Sequence, residues 1–281
     1  MKPEYLKLKL WFKQFDFAVV AFSGGVDSTL VLKAAVDALP KGQALAVTAD
    51  SPSISREELA ATIKLAEQIN ASHRIIKTNE LENANYQENK GDRCFFCKQT
   101  LYESLKPELI QKLIEQEYSN NFVIVDGTNL DDLKDIRPGM KAANQAGIRH
   151  PLVECEIGKS LVREICKELD LPVWNKPAMA CLASRITVGN KVTAEKLMLV
   201  EKAESVLKGL GFQTYRVRYH ELATNKPLTS NKPSILARIE VEKEKIELLT
   251  HPANKEKIIS SFREIGFDYI TIDINGYSNP Q

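Results

Sequence analysis

The residues that most clearly suggest chemistry form the glycine-rich string S-G-G-V-D-S at Ser23–Ser28. Gly24 and Gly25 allow backbone angles that are closed to other residues, so successive N–H groups can converge on an anion. Terminal serine hydroxyls and the start of a following helix would add to the attraction. Asp27 puts a carboxylate beside this site, which makes sense mainly when a cation lies between the two. The string predicts a phosphate site with a cation; the alternative is a plain capped glycine turn.

The cysteines are the second group of chemically active residues. Cys94 and Cys97 form a C-x-x-C pair just before a predicted helix, a spacing used for thiol–disulfide exchange or for metal binding. A zinc site usually needs two such pairs, and here only a loop residue, Cys181, could join the first. Three thiolates suit an iron–sulfur cluster with one open iron, and the alternative is an unligated pair. Cys166 is expected in the core, and Cys155 has no visible partner.

Three arginines are candidates for binding an anion. Arg216 and Arg218 lie two residues apart on a predicted strand and so point to one face, where Arg238 of another strand can join them. Their guanidinium groups would bind a phosphate or a carboxylate. From the pattern alone, a solvated face paired with glutamates is the slightly favoured alternative. The histidines have no metal-ligand spacing and are expected at turns or on the surface (His73, His150, His220 and His251).

The apolar runs predict the scaffold that positions these residues. Predicted strands lie at 17–22, 44–49, 73–77 and 122–125. They alternate with helical patterns, which indicates an α/β fold with a doubly wound, mostly parallel sheet. Ligands of such sheets bind at the C-terminal strand ends, where Ser23–Ser28, Thr48 and Gly127 lie. We also predict a short fifth strand at 150–153 and a loop over 79–93.

The pattern predicts two domains. Residues 1–190 hold the parallel sheet and end in a weakly periodic segment, 171–189, whose reactive residue types are typical of a site or a lid. Residues 191–281 form a smaller α+β domain for substrate binding or oligomerisation. Its predicted helices lie near 193–209 and 253–264, and its strands at 214–219, 236–241 and 269–273. Residues 221–235 have the composition of an insertion.

Composition and charge narrow the function classes. The net charge of +1 gives no overall attraction to nucleic acid or to an anionic membrane, so neither is an expected partner. No apolar run reaches the roughly 18 residues of a membrane span. The N-terminal residues lack the apolar core of a signal peptide, so we expect a cytoplasmic protein. We also expect it to form a homo-oligomer and to act on a small molecule.

Two strings resemble known signatures. Ser23–Ser28 resembles that of the PP-loop ATP pyrophosphatases, enzymes of the HUP-type fold that cleave ATP between the α- and β-phosphates and hold the pyrophosphate in this loop. Lys176–Arg185, K-P-A-M-A-C-L-A-S-R, resembles the K-P-x-x-A-C-L-(A/S)-S-R signature of the ATP-dependent sacrificial sulfur transferases, the LarE family. Further similar strings follow the order and spacing of that family, at 126–132, 137–139, 216–218 and 237–240.

The resemblance implies a reaction and its cofactors. Members of this family use ATP, with Mg²⁺, to activate a carboxylate of a pyridinium dicarboxylate mononucleotide and release pyrophosphate. The acyl adenylate then becomes a thiocarboxylate, a step toward the nickel-pincer nucleotide cofactor. In members with one site cysteine, the residue that matches Cys181 gives up its own sulfur. Members with three cysteines resemble this chain at Cys94, Cys97 and Cys181, which implies a 4Fe–4S cluster whose open iron carries a sulfide, the version that we favour.

The same resemblance implies roles for individual residues. Cys181, Asp27 and Arg185 are expected to be catalytic. The expected nucleotide-binding residues are Ser23, Gly24, Gly25, Asp27, Ser28, Thr48 and Gly127. Arg216, Arg218 and Arg238 are expected to hold the phosphate or the free carboxylate of the substrate.

Other functions of a PP-loop protein stay open. An ammonia-using synthetase would release pyrophosphate even without Cys181, and a tRNA thiolase would need tRNA for turnover. A regulator without enzymatic activity would bind ATP and not cleave it.

Overall fold

A computed structural model of the chain describes residues 1–115, 121–134, 138–177, 180–222 and 233–277. Most of the predicted insertion at 221–235, and Arg137 of the string at 137–139, lie outside these residues. Contacts divide the chain into two compact units. One contains Met1–Tyr86 and Asp92–Met179, and the other contains Gln87–Gly91 and Ala180–Gln281.

The first unit is built on a parallel sheet. Its strands are β1 (Phe17–Ala21), β2 (Ala44–Asp50), β3 (Ser72–Lys77) and β4 (Phe122–Val125). Its helices are α1 (Pro3–Phe12), α2 (Val26–Ala38), α3 (Arg56–Ile69), the first three residues of α4 (Ala84–Glu88), α5 (Arg93–Glu115), α6 (Pro138–Ala146), α7 (Pro151–Glu154) and α8 (Lys159–Glu168). The strand order is β3-β2-β1-β4, and each neighbouring pair is parallel.

Helices cover both faces of this sheet, as the burial of β1 shows. All five residues of β1 are buried, as expected of a strand with both faces covered. Ala18 and Val20 pack into a core with residues of α1, α2 and α8. Phe17 and Val19 face the other way and pack with residues of α5 and α6, among them Tyr102. The prediction of an α/β fold with a doubly wound parallel sheet is confirmed.

The second unit contains a three-stranded sheet in the order β5-β6-β7. Its strands are β5 (Tyr215–Leu222), β6 (Ser234–Val241) and β7 (Tyr269–Ile272), and its helices are α9 (Ala194–Gly209), α10 (Ile246–Thr250) and α11 (Pro252–Ile265). β5 and β6 are antiparallel, whereas β6 and β7 are parallel. The helix α9 packs against both β5 and α11. The prediction of a smaller α+β region after the parallel sheet is confirmed in architecture.

Two local predictions are wrong. Residues 150–153 form no strand: α7 begins at Pro151, whose fixed φ and missing N–H suit the first turn of a helix. A short helix, α4, occupies part of the predicted loop at 79–93, because the Asn83 side chain accepts hydrogen bonds from the N–H groups of Asn85 and Tyr86.

The helix that carries the C-x-x-C pair begins earlier than predicted. The pair was predicted to lie just before a helix, but α5 begins at Arg93, so Cys94 and Cys97 lie in its first turns. Asp92, a residue type favoured at the start of helices, directly precedes it. Within the described residues, no helix is long and apolar enough to cross a membrane.

Candidate active site

The glycine-rich turn joins the end of β1 to the start of α2. Gly24 has φ of +68°, and a Cβ atom at this position would lie 2.9 Å from the Cγ2 atom of Thr62. Both the backbone angle and the close approach therefore require glycine. The Ser23 and Ser28 hydroxyls are 3.1 Å apart, and the Ser28 hydroxyl also donates to the carbonyl of Gly25. The turn is thus held in shape by its own serines.

Gly127 brings the end of β4 against this turn. A Cβ atom at Gly127 would lie 2.6 Å from the backbone nitrogen of Ser28, which is in the first turn of α2. Thr48, at the end of β2, donates its hydroxyl hydrogen bond to the Phe22 carbonyl over 2.7 Å and lies 2.9 Å from Nε2 of His73. The structure therefore brings Thr48 and Gly127 to the loop: Thr48 binds the residue before it, and Gly127 lets the chain after β4 approach it closely.

Asp27 has a cationic partner that sequence reasoning missed. Its carboxylate forms an ion pair with Lys159, and it accepts a hydrogen bond of 3.2 Å from the Asn129 side-chain amide. The N–H of Lys159 donates to the Asp131 carboxylate over 2.7 Å, which fixes the start of α8. A Cβ atom at Gly158 would also lie 2.7 Å from that carboxylate, so the segment approaches closely. The loop thus has both an anionic and a cationic side chain at its helix end.

A second lysine lies at the glycine end of the turn. Nζ of Lys176 lies 2.6 Å from a carboxylate oxygen of Glu58 and 3.4 Å from the carbonyl oxygen of Gly24. Arg163 of α8 donates to the carbonyls of Trp174 and Lys176 over 2.8 and 2.9 Å. Lys176 belongs to the string that carries the LarE resemblance, but its contact with the loop could not be predicted from that string.

A buried polar cluster lies directly before Gly127. The Asp126 carboxylate accepts a hydrogen bond of 2.9 Å from Tyr102 and lies 2.8 Å from Nδ1 of His150. Burial alone would raise the pKa of Asp126, but the His150 hydrogen bond and the nearby charge of Lys98 outweigh it and lower that pKa well below its usual range. Burial and the Asp126 charge raise the pKa of Tyr102. His150 was expected at a turn or on the surface: it directly precedes α7, as a turn residue would, but its side chain is only 13% exposed and belongs to this polar cluster.

The cysteines divide into accessible and buried groups. Cys94 and Cys181 are exposed and Cys97 is half-buried, whereas Cys155 and Cys166 are buried. Burial raises the pKa of Cys155, and it raises that of Cys166 to about 12, so both stay neutral thiols. All five lie in the described part of the chain, and none forms a disulfide. Among the residues described, no three His, Cys, Asp or Glu side chains are grouped as ligands of one metal ion.

Arg185 holds the turn that carries Cys181. Its side chain is 1% exposed, and its Nε donates to the Glu204 carboxylate over 2.8 Å. Nη1 of Arg185 donates to the carbonyls of Ala180 and Cys181 over 2.7 and 3.3 Å. The same Glu204 carboxylate accepts a hydrogen bond from the N–H of Val217 in β5. The second unit thus fixes the backbone around Cys181 through a buried ion pair.

The three candidate arginines converge on one buried carboxylate. Glu240 accepts from Arg216 over 3.2 Å, from Arg218 over 2.9 Å and from Arg238 over 3.1 Å. Arg216 is buried, and burial lowers its pKa, whereas Arg218 and Arg238 are 25% and 39% exposed. Arg218 also donates to the Ser184 carbonyl. The arginines therefore do not form a solvated outer face, and their charge is partly balanced by Glu240. Arg218 and Arg238 remain accessible to solvent.

The chain is similar to known proteins over nearly its whole length. The model of the NAD synthase family matches residues 3–129, which include the glycine-rich turn and all four strands of the parallel sheet. The chain is 41% identical over 272 residues to an uncharacterised protein of Synechocystis sp., covering 97% of this chain and 94% of the relative. It is 32% identical over 266 residues to the pyridinium-3,5-bisthiocarboxylic acid mononucleotide synthase of Lactiplantibacillus plantarum, covering 94% of this chain and 88% of that synthase.

The chain belongs to the LarE family, the family of that synthase. The match extends over both structural units, so it includes the arginine cluster and Cys181 as well as the loop. The protein is an ATP-dependent PP-loop synthase homologous to LarE. Within the first unit the structure brings the candidate nucleotide-binding residues together at one end of the sheet. Within the second, it brings together the Cys181 turn, Arg185 and Arg218.

Proposed function

We propose that this LarE-family protein converts a carboxylate of a pyridinium-3,5-dicarboxylate mononucleotide to a thiocarboxylate for synthesis of the nickel-pincer cofactor. The observation that carries the proposal is the match, over 94% of the chain, to a synthase named for the bisthiocarboxylic acid mononucleotide. A substrate carboxylate oxygen attacks the α-phosphorus of ATP, and the bond from that phosphorus to the α–β bridging oxygen breaks. Pyrophosphate leaves, and the mixed anhydride with AMP has an activated carbonyl carbon.

The loop at Ser23–Ser28 is proposed to hold the pyrophosphate portion of ATP. The backbone N–H groups of its glycines and of the first turn of α2 are the donors. Thr48 and Gly127 pack beside the loop. Mg²⁺ is ordinarily bound through one or two carboxylates together with substrate phosphates, so the single carboxylate of Asp27 fits that ion. Mg²⁺ would neutralise the phosphates during transfer. Lys159, which pairs with Asp27 in this structure, is then available to the phosphate oxygens.

The substrate is proposed to bind the domain formed by residues 191–281. Arg218 and Arg238 are partly exposed and can hold its phosphate or second carboxylate. Arg216 is the buried member of the cluster and pairs with Glu240. Glu240 supports this role, because it orients all three guanidinium groups without cancelling their charge. We propose that Arg185 acts by holding the backbone of Cys181 in place during the sulfur step.

A sulfur nucleophile is proposed to attack the activated carbonyl carbon, with AMP leaving along with the electrons of its carbon–oxygen bond. We propose that Cys94, Cys97 and Cys181 would hold a 4Fe–4S cluster, which would supply this sulfur as sulfide. Their accessible thiols support the idea, whereas the described residues form no such ligand group. The competing version takes the sulfur from Cys181 itself and leaves dehydroalanine at that position.

Anaerobic reconstitution with iron and sulfide tests the sulfur source. Cluster absorbance, three equivalents of thiol protection and an unchanged mass of Cys181 after turnover would support the cluster. Loss of the Cys181 sulfur, detected by mass spectrometry of the tryptic peptide, would support sacrifice instead. Pyrophosphate release with no Cys181-dependent sulfur transfer would overturn both versions.

A second candidate function is an ammonia-using PP-loop synthetase, which the match to the NAD synthase family model favours. It predicts ammonia-dependent release of pyrophosphate that survives Cys181→Ala. We also propose that the protein forms a homo-oligomer, which light scattering of the purified protein tests directly.

A further inference from the structure

Lys176 is placed where a phosphate ligand of the loop would be. Its ammonium group lies 3.4 Å from the carbonyl oxygen of Gly24, the residue whose left-handed backbone opens the turn. The side chain is only 23% exposed, so its charge is held near the turn and away from bulk water. A compact ammonium group is one of the usual protein ligands of phosphate.

The backbone of Lys176 is held in place by α8. Arg163 binds the backbone carbonyl of Lys176 over 2.9 Å. Arg163 lies four residues after Lys159 on α8, so both side chains project from one face of that helix. One helix therefore sets the positions of both lysines at the loop: Lys159 beside Asp27, and Lys176 beside Gly24. Such an arrangement gives the turn a cation at each end.

In this structure the ammonium group of Lys176 is paired with a carboxylate. Glu58, in the first turn of α3, lies 2.6 Å from it although the two residues are 118 positions apart. Glu58 is itself 27% exposed, so the pair is half-buried and open to exchange with an anion from solvent. Pyrophosphate carries more negative charge than one carboxylate and would compete for the same group.

We propose that Lys176 is a phosphate ligand of the Ser23–Ser28 loop and that it exchanges Glu58 for the pyrophosphate portion of ATP. This inference rests on the proposed function, in which the loop holds that portion. Glu58 then acts as a competitor that keeps the ammonium group in place while the loop is empty. Release of pyrophosphate returns Lys176 to Glu58.

Isothermal titration with two probes, inorganic pyrophosphate and AMP, tests the proposal. Lys176→Met is expected to weaken pyrophosphate binding about tenfold, the loss of one charge-assisted contact, and to leave AMP binding unchanged. Lys176→Arg keeps the charge and is expected to retain most of the affinity. Lys64→Met is the matched control, because Lys64 is an exposed lysine of α3 and its loss should change neither affinity.

Glu58→Gln separates a ligand role from a structural one. Removal of the competing carboxylate is expected to tighten pyrophosphate binding, in the opposite direction to Lys176→Met. If the ion pair only stabilised the fold, both variants would lower the melting temperature and leave the pyrophosphate affinity unchanged, and the proposal would be wrong. Wild-type protein that binds no pyrophosphate would overturn the proposed function together with this inference. Tight binding by wild type and equally tight binding by Lys176→Met would overturn the inference alone.

Discussion

Gly127 at the end of β4 lies so close to Ser28 that a Cβ atom would stand 2.6 Å from the Ser28 backbone nitrogen. That nitrogen belongs to the first turn of α2, where the loop would meet a phosphate. The contact links the strand that ends in the buried Asp126 cluster to the helix that begins at the loop. The loop geometry therefore depends on a residue about a hundred positions away in the chain.

Gly127→Ala is expected to weaken pyrophosphate binding about tenfold or more. The added methyl group must push the start of α2 away, and overpacking of this kind costs about 1–3 kcal/mol. Titration with inorganic pyrophosphate measures the change. Gly209→Ala is the control, because a Cβ atom at Gly209 meets nothing within 4 Å and the residue ends a helix. Equal pyrophosphate affinity in the two variants would show that the contact does not shape the loop.

Arg185→Met is expected to lower the free energy of unfolding by about 3–5 kcal/mol, because it leaves the buried Glu204 carboxylate without its ion-pair partner. Urea denaturation followed by circular dichroism measures this loss. The double variant Arg185→Met with Glu204→Leu is expected to recover part of it, since the buried charge is then gone. A double variant that is no more stable than Arg185→Met would contradict this account of the pair.

The Asp126 cluster predicts how stability depends on pH. The pKa of Asp126 is lowered in the folded protein, so its contribution is fully present above the ordinary value of 3.8 and is lost as pH falls toward the folded pKa. Asp126→Asn lacks this contribution and is expected to lose less stability than wild type between neutral pH and pH values below 3.8. Urea midpoints measured at several pH values give the stability of both proteins. If wild type and Asp126→Asn lose the same stability as pH falls, the pH dependence does not come from Asp126.

The cysteines are expected to react with iodoacetamide in two groups. In native, metal-free protein, Cys94 and Cys181 should be alkylated first because they are exposed, and Cys97 should follow. Cys155 and Cys166 should stay unmodified because they are buried and their thiol pKa values are raised. Peptide mass spectrometry over time resolves each site, and concentrated guanidinium should make all five react. Early modification of Cys166 in the native protein would show that this part of the core is open.

The sheet and the loop could be predicted from sequence because their signals are local. A buried parallel strand such as β1 is a continuous apolar run, and the glycine string that follows it specifies its own turn. The strand predicted at 150–153 is wrong because a short apolar stretch is compatible with either a strand or a helix. Here Pro151 favours the first turn of a helix.

The partners of the charged site residues could not be predicted. Lys159 and Asp27 are 132 positions apart, and nothing in one sequence indicates which lysine reaches the loop. Spacing did place Arg216 and Arg218 on one face, but their shared partner Glu240 follows from the register between β5 and β6. Register depends on how strands pair in three dimensions, which a strand pattern alone does not contain.

The reaction proposed for this protein is ATP-dependent sulfur transfer to an activated carboxylate. An anaerobic single-turnover reaction tests it: protein reconstituted with iron and sulfide reacts with ATP, Mg²⁺ and pyridinium-3,5-dicarboxylate mononucleotide, and the products are analysed by liquid chromatography with mass spectrometry. We predict equal amounts of AMP, pyrophosphate and a product in which one carboxylate oxygen is replaced by sulfur, with none of that product from Cys181→Ser. ATP consumption without sulfur in the product, or the same product from Cys181→Ser, would contradict the account.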